Sequence, residues 1–199
     1  MIAFRTAALA AVAAASLLVA GCAEQSATTE PTQAQQSLHA PIRAASNEPS
    51  APVAVMIDGQ SAPTDAVATD AEGTLLPPTD VSRLGWWVDS SLPGSGAGTV
   101  VVVGHVDDAD QGVGYAARFA HLPAGDTVDV RTANGRRVEY RVTRVVDAQK
   151  DGTGADAVPF DELNRQTGPE TLALVTCGGP FIGPPLGYRD NIIVFATPI

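Results

Sequence analysis

Along most of the chain, apolar positions come in short runs separated by turn residues, and runs of that length predict strands rather than helices. From about Pro52, "VAVMIDG" reads as a strand closed by a turn, and "EGTLLPPTD" as a short apolar segment with a proline break. "RLGWWVD" is a further strand, and "SSLPGSGAGT" is a loop by its Gly, Ser and Pro content. "VVVVGH" is a β-branched run, too short for a helix and apolar on both phases, which predicts a strand buried on both faces. "GVGYAARFAHLPAGD" allows a helical turn or two. "TVDVRTANGRRVEYRVTRVVDA" carries two alternating segments around Asn134-Gly135, a strong short-range hairpin signal. "VPFDELNRQ" fits a short helix, and "TLALVTC" and "NIIVFATP" are the last strands. Many short strands and little helix predict an all-β barrel or sandwich.

The N-terminus departs from this pattern. Arg5 precedes an apolar, Ala-rich run from Ala7 to Ala20, short for a membrane span and fitting a secretory signal. Val19-Ala20-Gly21-Cys22 resembles the bacterial lipobox, in which the cysteine takes a diacylglycerol. The expected organisation is a signal peptide over 1–21, a lipidated Cys22 with a disordered tether over 22–51, and one folded domain over 52–199. The tether follows from a Ser-, Thr-, Gln-, Ala- and Pro-rich stretch without apolar periodicity. His39 falls in it as a solvated residue. The chain is then exported and sits at the outer face of the membrane, held by lipid or by an uncleaved N-terminal anchor.

Charge narrows the partners. A net charge of -10 argues against nucleic acid and against an electrostatic hold on anionic lipid. Aromatics make up 5%, so Val, Leu, Ile and Ala must fill most of the core. There are two cysteines, Cys22 and Cys177. A lipid on Cys22 leaves Cys177 unpaired in an exported protein, which reads either as a reactive thiol or as an inert packed one.

Three chemically capable residues stand at or beside the ends of strongly apolar segments. His105 ends "VVVVGH", Cys177 ends "TLALVTC", and Arg189 precedes "DNIIVFA". Alone, each has an ordinary reading: a structural histidine, a packed thiol, a surface pair with Asp190. Together they could supply a nucleophile, a proton-transfer group and a fixed cation.

At these residues the chain resembles a known family. "LVTCGG" is similar to the cysteine motif of sortases, "VVVGHVD" to their histidine strand, and "YRDNIIVFA" to the segment carrying their arginine. "RLGWW" and "LPAGDTVDVRTANGRRVEYRVT" resemble the corresponding parts of the class F sortases of actinobacteria. The resemblance spans roughly Pro52 to Ile199. It implies a sortase-type closed β-barrel of about eight strands, with short helices in the connections, and a cysteine transpeptidase of the cell envelope. Carried over, Cys177 is the nucleophile, His105 protonates the leaving amine, and Arg189 holds substrate or oxyanion. Thr176 orients substrate or arginine, and Gly178 lets the substrate backbone approach. The implied partners are proteins with Leu-Pro-x-Thr-Gly-like sorting signals and an amine acceptor such as a peptidoglycan precursor. No cofactor or metal is expected. Sortases usually carry an uncleaved transmembrane helix, so a lipid anchor departs from the family.

Other features have plainer readings. His121 precedes a Pro-containing turn and reads as solvated. Asp107, Asp108 and Asp110 read as a solvated acidic loop rather than a calcium site, with Asp107 a further option for orienting His105. Trp86 and Trp87 read as packing residues. "LPPTD" and "LPGSG" mimic sorting signals but lack the apolar segment and basic tail that follow one. Two other functions compete. An L,D-transpeptidase would need a Ser-His-Gly-Cys motif that "LVTCGG" lacks. A non-catalytic envelope lipoprotein could bind peptides on the same barrel.

Overall fold

The computed structural model describes residues 48–199. Cys22, His39 and the segment read as signal and most of the tether lie outside these residues. Strand β1 (Pro52–Ile57) turns through Asp58-Gly59, both at positive φ, into β2 (Gln60–Val67). Positive φ at both central residues matches the right-handed strand twist of a two-residue hairpin. β3 (Leu84–Trp87) and β4 (Thr99–Val103) follow, then a ribbon of β5 (Asp107–Asp108) and β6 (Gly112–Val113). A 3₁₀ helix over Tyr115–His121 leads to the hairpin of β7 (Thr127–Thr132) and β8 (Arg137–Gln149). A 3₁₀ turn (Gly154–Asp156) and helix α1 (Phe160–Leu163) precede β9 (Thr171–Gly183) and β10 (Gly187–Pro198).

The strands close in the order β1-β2-β3-β4-β9-β10-β8-β7, giving the expected eight-stranded barrel. Alternation along each strand sorts side chains to two sides. Val100, Val102, Leu172, Leu174, Val194 and Ala196 point into the barrel, where Tyr115 and Phe119 of the 3₁₀ helix join them. Val101, Val103, Ala173, Ile193 and Phe195 point outward and are covered by Val158 and by Leu163 of α1. This explains why β4 is buried at every position. The tryptophans split likewise: Trp86 enters the inner core and Trp87 packs on the outer one.

The polar segment after Asp58 carries no strand signal, yet it forms β2. Pro63 pairs with Ala54 of β1, and the parallel ladder to β3 starts one residue later, at Thr64. The missing proline N–H therefore costs nothing on that side. Residues expected as the end of the tether bond to the hairpin turn: Asn134 Nδ2 donates to Glu48 O at 2.7 Å and Ala133 N to Ala51 O at 2.8 Å.

One buried carboxylate fixes the "LPGSGAG" loop. Glu170, 4% exposed, accepts from Gly94 N at 2.9 Å, from Gly96 N at 2.6 Å and from the hydroxyl of fully buried Tyr140. Burial and the carboxylate together push the Tyr140 phenol far above its ordinary range. Glu170→Ala strands that hydroxyl and frees two backbone donors, so a loss of about 2–3 kcal/mol is expected in urea unfolding. Glu170→Gln, which keeps an acceptor, should lose less.

Candidate active site

The site begins with the register between β4 and β9. These strands run parallel, with Val101 beside Ala173 and Val103 beside Val175. Gly104 N donates to Val175 O at 3.0 Å, and Thr176 Oγ1 donates to Gly104 O at 2.8 Å. His105 and Cys177 each stand two residues beyond that last pair, Val103 and Val175, at the same end of the two segments. By alternation along β9, Cys177 follows Val175 onto the outer side of the barrel wall, on the face that α1 covers further along. His105 and Cys177 are both partly exposed.

Cys177 does not end its strand. β9 continues to Gly183 because its other edge stays paired with β10, as far as Gly183 with Gly187. On the β4 side the ladder stops at Val103 with Val175, so the wall opens beside the sulfur. Across β10, Asn191 is the register partner of Cys177, and Asp190 that of Gly178. The register shifts between Tyr188 and Asp190, and Arg189 occupies this irregularity.

Arg189 engages its neighbour. Its Nε donates to Asp190 Oδ1 at 2.6 Å and its Nη2 to Asp190 Oδ2 at 2.7 Å. The Asp190 side chain is 2% exposed while that of Arg189 is 43% exposed, so the guanidinium lids a buried carboxylate. That fork holds the Asp190 carboxyl below its ordinary range and raises Arg189 above its own. A surface pair would contribute little; leaving this carboxylate uncompensated would be costly. The fork uses the Nε edge, which leaves the Nη1 amino group outside the pair.

The cation that touches the sulfur is Lys150, just past the end of β8. Its Nζ lies 3.6 Å from Cys177 Sγ and donates to Leu186 O at 2.9 Å. Its backbone N donates to Arg189 O at 3.1 Å. Sequence reading passed over Lys150. The available signal was its phase: it follows Val146 and Ala148, which face the outer core, at alternate positions of the same segment.

Thr176 is buried and ties β9 to the carbonyl preceding His105, rather than contacting arginine. A side chain at Gly178 would meet Ile192 Cγ1 at 2.5 Å, so the Ile192 side chain would have to move to admit one. Gly179, at φ +70, lies where a Cβ would sit 2.0 Å from Asp190 Oδ2, and its small size admits the carboxylate. Asp107 accepts from Tyr188 OH at 2.6 Å, and this bond raises the Tyr188 phenol. Asp108 accepts from the backbone of Asp110 and Gln111, closing the acidic loop on itself. His121 is exposed at the end of the 3₁₀ helix.

The closed eight-stranded barrel thus carries a partly exposed thiol on β9, an imidazole just past the end of β4 and an arginine on β10. The family described as "Sortase domain" matches residues 57–199, and the chain belongs to the sortase family. It is a sortase-type cysteine transpeptidase. Among solved structures it is similar to sortase C-1 from Actinomyces oris, at 19% identity and a TM-score of 0.54, covering 73% of this chain and 72% of that one. Sortase A from Corynebacterium diphtheriae matches at 17% identity and 0.54, over 76% of this chain and 62% of that one. The pilus-related sortase C of Group B Streptococcus matches at 18% and 0.54, over 76% and 69%. The curated proteins contain no match to it.

Proposed function

We propose that this chain is a class F-like sortase of the cell envelope that cuts a Leu-Pro-x-Thr-Gly-like sorting signal after Thr and passes the acyl group to an amine. Cys177 attacks the Thr carbonyl as thiolate, the reactive form of the side chain. An S–C bond forms and the carbonyl electrons move to oxygen. Backbone N–H groups and the Nη1 side of Arg189 receive that oxyanion, since donors already in place there are often the largest catalytic contribution. Collapse breaks the C–N bond, and His105 delivers a proton to the departing amine. An acceptor amine, in this family from a peptidoglycan precursor, then attacks the thioester, passes its proton to His105 and expels the Cys177 thiolate.

One observation carries this reading: the β4–β9 register, which ends two residues before both His105 and Cys177 and so supports their meeting at one end of the wall. The class F assignment rests on "RLGWW" and the hairpin segment around Asn134-Gly135. Residues 1–21 are proposed as a lipoprotein signal, 22–51 as a tether from a lipidated Cys22, and 52–199 as the catalytic barrel. That organisation holds the enzyme at the outer face of the membrane.

Fluorogenic sorting peptides with and without an amine acceptor test the proposal. Cleavage that switches from hydrolysis to transfer on adding the amine is expected, with a peptide–enzyme thioester visible by mass. Failure to cleave any member of a sorting-peptide library would favour peptide binding without turnover.

A further inference from the structure

We infer that Lys150 is an additional catalytic residue of this site, the resident hydrogen-bond donor and counter-charge of the Cys177 sulfur. This rests on the reading of Cys177 as the nucleophile. Sulfur and ammonium nitrogen lie 3.6 Å apart, a contact length for N–H and sulfur. The lysine stands just past the end of β8 and reaches past β10 to the sulfur on β9. Two hydrogen bonds, from its backbone N to Arg189 O and from Nζ to Leu186 O, fix both of its ends.

The alternative employment for a lysine is absent among the described residues, where no carboxylate forms an ion pair with Lys150. Asp190 feels its charge but is held by Arg189. The two cations therefore divide the work. Arg189 neutralises the buried carboxylate and offers Nη1 outward, while Lys150 serves the sulfur. An ammonium suits the second task, being a compact charge with three donors on a flexible stem.

Lys150 serves as a hydrogen-bond donor and transfers no proton in either half-reaction. When the S–C bond forms, sulfur gives up its negative charge and becomes a poor acceptor, and Nζ retains Leu186 O. When the acceptor amine expels the thiolate, the C–S electron pair returns to sulfur and Nζ–H receives it. His105 alone moves protons to and from nitrogen.

A lysine that merely tethers Leu186 would not confer charge selectivity on the thiol. The test is therefore alkylation of the full chain at pH 7 by iodoacetate, an anion, and by iodoacetamide, which is neutral. The Cys177-containing peptide is followed by mass. In the wild type, the adjacent ammonium favours the anionic reagent. K150M should lower the iodoacetate-to-iodoacetamide rate ratio about fivefold, and K150R should restore it. Raising salt from 0.05 to about 1 M should lower the wild-type ratio, a readout that survives if K150M fails to fold. An unchanged ratio in K150M, or a salt-insensitive wild-type ratio, overturns the inference. Sorting-peptide thioester formed with the ratio unmoved would sink the lysine's role alone. A ratio that falls in K150M, with no thioester from any sorting peptide, would instead sink the transpeptidase assignment of Cys177.

Discussion

The Cys177→Ala protein should form no thioester with a sorting peptide, and its turnover should fall to background, a loss of about 10⁴-fold or more. The reason is chemical rather than structural. Cys177 is partly exposed on the outer face, and its strand is held by the ladder to β10 whatever the side chain. Stability should therefore change by less than about 1 kcal/mol. Cys177→Ser sharpens the point, since it keeps size and hydrogen bonding but offers a hydroxyl that is far harder to ionise. It should be nearly as inactive. A thiol-reactive analogue of the sorting peptide is the direct probe: mass labelling of wild type and none of Cys177→Ala is expected. Equal labelling of both would remove the nucleophile assignment.

His105→Ala should cost about 10²–10⁴ in turnover of an amide substrate, the usual range for a positioned general acid. The size of the loss should depend on the leaving group. An amine cannot depart as an anion and needs a proton as the C–N bond breaks; a thiol or activated phenol leaves without one. The same sorting peptide made as a thioester should thus lose much less in His105→Ala. Parallel losses on amide and thioester would show that His105 acts on the sulfur or the fold instead. Val103, Gly104 and Thr176 hold the histidine's backbone through β4, so removing its ring should leave the register intact.

The barrel was legible because its signals are local. Alternation in "VEYRVTRVV" and the Asn134-Gly135 turn specify the β7–β8 hairpin, and uninterrupted apolar runs mark β4, β9 and β10 as walls with two covered faces. β2 was not legible: its polar residues and Pro63 resemble a loop, and only its two partners make it a strand. The site divides in the same way. His105, Cys177 and Arg189 stand beside apolar segments and within recognisable motifs. Lys150 has no motif and meets the sulfur only because β10 lies between β8 and β9, an order set by barrel closure. The functions of Thr176, Gly178 and Gly179 likewise depend on which atoms lie opposite them, which sequence spacing does not encode.

The far end of the β9–β10 hairpin carries Phe181 and Ile182, both largely exposed, and the stretch from Gly178 to Tyr188 contains no charged residue. A bare apolar ribbon is a natural template for copies of the chain to join edge to edge into polymers. Pro180, Pro184 and Pro185 withdraw amide donors from that ribbon, and a proline cannot extend a growing sheet. The chain can thus keep a greasy tip beside its thiol without seeding aggregates.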